Sequence, residues 1–303
     1  PPEPVPEPVA PRPVQSEALG ALEQTRIDGH TAGLVVLATG LGKTWLAAFD
    51  TARPQYRRVL FVAHREEILR QSRDGYRRDQ PDADLGLFYG EEKQADARSL
   101  FASIQTMTSR LNEFDPSHFD YIVVDEFHHA SAPSYRRVID HFRPQFMLGL
   151  TATPQRMDGA DLLALCHDNL VFECALVEGI ERGDLVPFQY WGIRDVVDFA
   201  PIPWRNGRFD PQALTEAVET QDRAEQALRE WSARRGTRTL AFCCSVTHAD
   251  FMQRFFTERG IRCAAVHSGP SSAPRRESIQ QLRDGELDVL LSVDVFNEGV
   301  DVP

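Results

Sequence analysis

The sequence predicts an α/β protein whose parallel sheets are covered by helices, set out as two domains of which the second is incomplete. Three observations carry that prediction. Short apolar runs without polar alternation recur along the chain, which is how strands buried on both faces read. Helical stretches separate these runs, as the crossovers of a parallel sheet require. The 303 residues suffice for two cores of ordinary size, and the character of the chain changes after Gly183.

Prolines alternate with Glu and Val between Pro1 and Pro13, which holds residues 1–13 extended and marks them as a linker. Because the chain begins at Pro1 with no secretion signal behind it, it reads as part of a longer protein. Apolar spacing suits a helix over residues 14–26, and strands are expected over 33–38, 59–63, 100–104, 121–124 and 146–150. These form a first domain, 14–183. Residues 184–235 read as an interdomain connection: a proline and aromatics lie between Leu185 and Ile193, turn signals follow at Pro201, Pro203 and Asn206-Gly207, and a helical stretch covers 211–235. The second domain, 236–303, has expected strands over 239–243, 262–266 and 288–292 and then stops, so its sheet reads as unfinished.

Composition excludes several classes. At 42% apolar and 26% charged residues the chain is globular, and no apolar stretch is long enough to span a bilayer as a helix. Five cysteines (Cys166, Cys174, Cys243, Cys244, Cys263) form no C-x-x-C pair, which fits reduced thiols in a cytoplasmic protein. The net charge of −12 runs against affinity for phosphate backbones, although arginines crowd residues 53–78, where either a basic face or a solvated helix surface would account for them.

Two segments carry chemistry. The first expected strand runs into Thr39-Gly40-Leu41-Gly42-Lys43-Thr44 and then a helix, the setting of a phosphate-binding loop. Glycines at 40 and 42 let backbone N–H groups point at phosphate oxygens, Lys43 would reach the β and γ phosphates, and the Thr44 hydroxyl would bind magnesium. Leu37 stands where that pattern usually begins with glycine or alanine. The second segment is the apolar run 121–124 followed by Asp125-Glu126-Phe127-His128. Adjacent acids at a strand end cost desolvation unless they are solvated or have work to do. Asp125 would hold magnesium and Glu126 would orient or deprotonate the attacking water.

With Lys43 and Thr44 upstream, this Asp-Glu-Phe-His box resembles the DExH class of superfamily 2 helicases, whose two RecA-like domains bind ATP in the cleft between them. Further segments fit in order. Arg12 and Gln15 resemble the adenine-reading glutamine motif, and a linker arginine and a polar helix start are their plain alternative. Val62-Ala63-His64-Arg65 and Ser103-Ile104-Gln105-Thr106 resemble segments that contact the nucleic-acid backbone, as does Phe242 to Ser245 in the second domain. Thr151-Ala152-Thr153-Pro154 resembles the motif that couples hydrolysis to movement, with His128 of the box in the same role. In the stretch from Ser292 to Asp301, Gly299 and Asp301 match positions that touch nucleotide.

The resemblance implies a nucleic-acid motor using ATP and magnesium, with Lys43, Asp125 and Glu126 catalytic and Thr44 and Asp125 at the metal. It favours DNA over RNA as partner and needs no membrane. Residues 125–130, 150–156 and 187–190 look most like bacterial helicases with a phospholipase D-like nuclease domain upstream. No His-x-Lys signature of that nuclease occurs in the chain. A nucleotide-gated clamp without unwinding activity is the rival reading. A small-molecule kinase on the same loop lacks any sign of an acceptor site.

The family's sixth motif, with its cross-cleft arginines, has no counterpart after Pro303. Since a supplied arginine is worth about 10³–10⁵ in rate in related hydrolases, the 303-residue chain is expected to bind ATP far better than it hydrolyses it. Steady-state ATPase measurement on this length with nucleic acid present checks this, and ordinary turnover contradicts it.

Overall fold

Continuous apolar runs become central strands because they can be covered on both faces without leaving polar side chains in the core. The computed structural model describes residues 9–152, 162–234 and 238–295. The chain divides into two compact units, Pro1–Gln189 and Tyr190–Pro303. In the first, the strands are β1 (Ala32–Leu37), β2 (Val59–Ala63), β3 (Leu85–Tyr89), β4 (Glu92–Lys93), β5 (Ser99–Ser103), β6 (Tyr121–Val124), β7 (Phe146–Thr151) and β8 (Leu170–Cys174). They form one sheet in the order β4-β3-β5-β2-β6-β7-β1-β8. All neighbours are parallel except the β3–β4 pair. Every residue of β1, β2, β6 and β7 is buried, as their unbroken apolar sequences require.

Helices cover both faces. On one side α1 (Pro13–Ile27), α2 (Lys43–Thr51) and α3 (Glu66–Asp79) bury Val14, Leu22, Leu46, Leu69 and Tyr76 against the sheet. On the other, α4 (Ile104–Ser109) and α5 (Pro133–His141) contribute Met107, Tyr135 and Val138. A short α6 (Leu176–Glu181) follows β8.

One charged side chain lies wholly inside the first face. Asp50, on the last turn of α2, accepts from Arg26 Nη1 and Nη2 of α1 at 2.8 Å each, from Arg53 Nε at 3.2 Å and from Tyr121 Oη of β6 at 2.5 Å. It is 0% exposed. A buried carboxylate is tolerated because every contact is a donor and two come from a planar guanidinium fork.

The second unit opens with a two-residue hairpin, β9 (Trp204–Arg205) and β10 (Arg208–Phe209), turning at Asn206-Gly207. Both turn residues have φ in the left-handed region, 53° and 75°, which this pair of residue types adopts at low cost. The stretch expected as one helix over 211–235 is two, α7 (Pro211–Val218) and α8 (Gln221–Arg234). Beyond them β11 (Thr239–Phe242), α9 (Val246–Thr257), β12 (Cys263–Val266), α10 (Arg275–Arg283) and β13 (Val289–Ser292) make a parallel sheet ordered β11-β13-β12. Ala224 of α8 is buried in the same cluster as Ala249 and Phe256 of α9 and Leu291 of β13. Apolar packing thus gathers α8 into the second unit's core, although the sequence assigns it to a connection.

Three strands of the large sheet, β3, β4 and β8, are not anticipated by sequence. β8 is an edge, with Leu170 exposed and only Cys174 buried, so its pattern lacks a core face.

Gly149 in the middle of β7 faces the Phe127 ring closely enough that a Cβ would lie 2.7 Å from Cδ2. Gly149→Ala should therefore overpack this site and lower the stability of the first unit by about 1–3 kcal/mol. Denaturant unfolding of the variant, giving a lower midpoint with an unchanged slope, is the expected result.

Candidate nucleotide site

In a parallel sheet, all strands point the same way and their following loops gather at one edge, so residues distant in sequence meet there. The β1–β7 register pairs Leu34 with Gly149 and the β6–β7 register pairs Val124 with Gly149, so β6 ends level with Leu34 while β1 runs on to Leu37 toward the same edge of the sheet. Only β7 separates them, a lateral distance of about 10 Å at the usual strand spacing. The glycine loop leaves β1 and the acid pair leaves β6 from this common edge.

The loop is shaped from behind by α1. Gly40 and Gly42 have φ of 93° and 81°, the left-handed region where glycine has no side chain to clash. Gln15 Nε2 donates to the carbonyls of Leu41 at 3.2 Å and Gly42 at 3.0 Å, and its Oε1 accepts from Arg12 N at 2.9 Å. Arg12 Nη1 donates to Gly40 O at 3.2 Å. Arg12 and Gln15 are therefore brought to the loop, with both ends of the Gln15 amide engaged by protein backbone and the residue buried. Leu41 sends its side chain into the core and its N–H to Ala38 O, so any contribution it makes to a ligand is as a spacer. Thr39 and Gly40 are exposed. Lys43 and Thr44 open α2, where the first-turn N–H groups have no helical partner and the helix dipole is positive. Lys43 Nζ folds back to the end of β1, donating to Leu37 O at 3.4 Å. That long bond is one a phosphate can replace.

Across β7, Asp125 is 5% exposed; its N–H continues the sheet to Val62 O and its Oδ1 accepts from Glu126 N at 3.0 Å. Glu126 has φ of 50°, an uncommon conformation for a residue with a Cβ, which turns the chain out of the strand at once. The short 3₁₀ turn Phe127–His129 follows. Its Phe127 is fully buried against Gly149, which anchors the turn. His128 Nδ1 lies 3.4 Å from Glu126 Oε2 and 3.4 Å from Thr151 Oγ1 at the end of β7. The imidazole thus joins the second acid to the residue expected to couple hydrolysis to movement.

Other expected residues fall around this edge unequally. His64 and Arg65 follow β2, beside β6; Arg65 Nε donates to His64 Nε2 at 3.0 Å, and the His64 ring meets that of His129 edge-on at 4.9 Å. The His129 ring in turn lies tilted against that of His128, with ring centres 4.1 Å apart. In the sequence His129 carries no signal of a role of its own beyond its place beside His128. Gln105 is exposed on the first turn of α4, whereas the Thr106 hydroxyl accepts from Ser103 Oγ within the cap of that helix. Ser245 lies in the second unit, where its Oγ caps α9 by accepting from His248 N. Thr153, Gly299 and Asp301 fall outside the described residues.

No group of three or more His, Cys, Asp or Glu side chains that could hold a metal ion occurs among the described residues. Magnesium takes most of its ligands from phosphates and water and would need only one or two from protein. The donors available here, the Asp125 carboxylate and the Thr44 hydroxyl, are the hard oxygens it favours.

Comparison with known proteins places this geometry in a context. The sequence model of the type III restriction enzyme res subunit matches residues 8–156. That of the helicase conserved C-terminal domain matches residues 221–303. A Schizosaccharomyces pombe protein described as a mitochondrial ATP-dependent helicase, irc3, is 28% identical over 307 residues, covering 96% of this chain and 50% of its own. The chain thus spans about half the length of such a curated relative. Two solved structures share the fold. Saccharomyces cerevisiae Dbp5 bound to RNA and ADP BeF3 superposes with a TM-score of 0.64 at 14% identity, over 97% of this chain and 72% of that one. The ATP-dependent type ISP restriction-modification enzyme LlaBIII, bound to DNA, gives 0.66 at 16% identity over 98% of this chain and 25% of that one.

The brace on the loop is open to test. A Cβ at Gly42 would fall 2.4 Å from Gln15 Nε2. Gly42→Ala should therefore cost about 1–2 kcal/mol in backbone strain plus the displaced glutamine, while Gln15→Ala removes the obstacle. Thermal or denaturant unfolding of the two single variants and the double should show less-than-additive losses, coupled by about 0.5–3 kcal/mol. Additive losses would show that the two residues do not meet.

Proposed function

We infer that this chain, which belongs to the DExH class of superfamily 2 helicases, is the ATP-driven motor core of a nucleic-acid helicase or translocase, and that it uses magnesium and acts on DNA. One observation carries the reading most directly. The glycine loop with Lys43 and the Asp125-Glu126 pair issue from the same edge of one parallel sheet with a single strand between them, near enough for both to address one triphosphate.

Roles follow from the donor and acceptor types. The α2 N-terminus and the glycine backbone offer N–H groups to phosphate oxygens. Lys43 exchanges its long bond to Leu37 O for the β and γ phosphates, adding charge where negative charge accumulates. Asp125 and Thr44 would hold a magnesium ion, which when bound would neutralise charge on the phosphoryl oxygens. Glu126, tethered to His128, accepts a proton from the attacking water at its carboxylate. His128 also reaches Thr151, so a change at Glu126 is felt at the end of β7.

The preference for DNA rests on likeness to restriction-enzyme motors, one of them solved with DNA. A negatively charged chain can still grip a strand through a local set of contacts. His64, Arg65, Gln105 and, in the second unit, Ser245 are the residues assigned to that grip. Among the described residues no helix is long and apolar enough to cross a membrane.

Glu126→Gln keeps the shape of the turn and removes the proton acceptor. Turnover should fall about 10²–10⁴-fold while nucleotide affinity stays near wild type, read by steady-state ATPase assay and by fluorescent-nucleotide binding on the full-length protein. Stimulation by single-stranded DNA, duplex DNA and RNA, tested in turn, should rank DNA above RNA. Turnover that survives in Glu126→Gln would remove the residue from its assigned role.

A further inference from the structure

The Asp50 carboxylate lies about 10 Å along α2 from Lys43, outside the nucleotide site, yet it ties α2 to α1 and β6, two other elements that lead to the site. Arg26, from the last turn of α1, gives it both guanidinium nitrogens at 2.8 Å, and Arg53 adds Nε at 3.2 Å. Tyr121, the first residue of β6, gives it Oη at 2.5 Å. The opposite end of α1 carries Gln15 and Arg12 on the glycine loop, the opposite end of α2 is Lys43 and Thr44, and the opposite end of β6 is followed by Asp125. One buried charge therefore fixes the far ends of three rods whose near ends form the site.

The surroundings leave the knot little freedom. Asp50 is wholly buried, and the Tyr121 ring sits edge-on to Tyr56 at 4.7 Å and against Phe146 at 5.6 Å. Phe146 also carries the Arg26 guanidinium 5.1 Å above its ring centre. Burial, and after it the charge of Asp50, push the Tyr121 hydroxyl well above its usual range, so it stays a donor at working pH. Helices packed only by apolar contact can slide by fractions of an ångström. A carboxylate with directional bonds to two helices and a strand holds their register.

We propose that Asp50 is a positioning residue for ATP hydrolysis, setting α1 and β6 against α2 through two separable arms, Arg26 for the loop and Tyr121 for the acid pair. This rests on the nucleotide reading above and deepens it. Cutting the Tyr121 arm leaves α1 and the loop in place but frees β6, so the metal and water ligands lose alignment while phosphate binding persists. Loosening the Arg26 arm frees α1, so the brace on the loop weakens and binding suffers first.

Two conservative variants of the full-length protein separate these effects. Tyr121→Phe keeps the ring packing and deletes one hydroxyl. Arg26→Lys keeps the positive charge and loses the fork. With rates normalised to the folded fraction from thermal melts, Tyr121→Phe should lose about tenfold or more in kcat with KM for ATP unchanged, and Arg26→Lys should raise KM several-fold with the smaller loss in kcat. A knot that only stabilises the fold would lower the melting temperature of both and leave the normalised constants at wild type, and that outcome overturns the proposal. Equal, parallel changes in kcat and KM for both variants overturn it as well. Wild-type protein without ATP turnover would sink the functional reading and this inference together, whereas wild-type turnover matched by both variants sinks the inference alone.

Discussion

The first unit depends on one constraint: β1 and β6 both run parallel to β7, one on each side, so their C-terminal ends emerge together. Parallel pairing needs long crossovers, and those crossovers are the helices that bury both faces. The same connectivity that makes the sheet a two-sided core makes its edge a meeting point. Nothing local to residues 39–44 or 125–128 would join the two segments, and the hydrogen-bond register of β7 does so.

Given that juxtaposition, the remaining requirement is stiffness. The glycine loop has backbone angles that leave it weakly determined by itself, and Gln15 and Arg12 supply determination by occupying three of its carbonyls. Across β7, Glu126 is held in an uncommon conformation by the buried Phe127 beneath it. Such strain persists where neighbours over-determine it, and here it presents the carboxylate beside His128 instead of continuing the strand. Asp50 performs the same service at the other end of the elements. Pre-organisation matters because a fixed polar site need not reorient when charge develops.

What sequence could disclose follows from how far each signal reaches. The central strands were legible because burial on both faces forces continuous apolar runs, and β2 and β6 keep the bounds their sequences predict. The loop and acid box were legible because glycine, lysine and paired acids at strand ends have few other uses. β8 was not, since an edge strand with exposed Leu170 and Glu173 has no uniform pattern. The Asp50 knot was illegible for another reason: Tyr121 lies 71 positions away and Arg26 24 positions away, and no periodicity links them. The role of Gln15 is an intermediate case. The resemblance singles it out as part of an adenine-reading motif, but the engagement of its amide with Leu41, Gly42 and Arg12 needed coordinates.

The central claim is that Lys43 and Asp125 serve one metal-bound triphosphate. Full-length protein carrying ATP and manganese in place of magnesium, observed by electron–nuclear double resonance, addresses that claim without recourse to turnover. The expected result is phosphorus coupling at a protein-bound manganese ion, with the ion's affinity reduced by Asp125→Asn and the phosphorus coupling altered by Lys43→Ala. Manganese bound with ATP equally well in wild type and in both variants would contradict it.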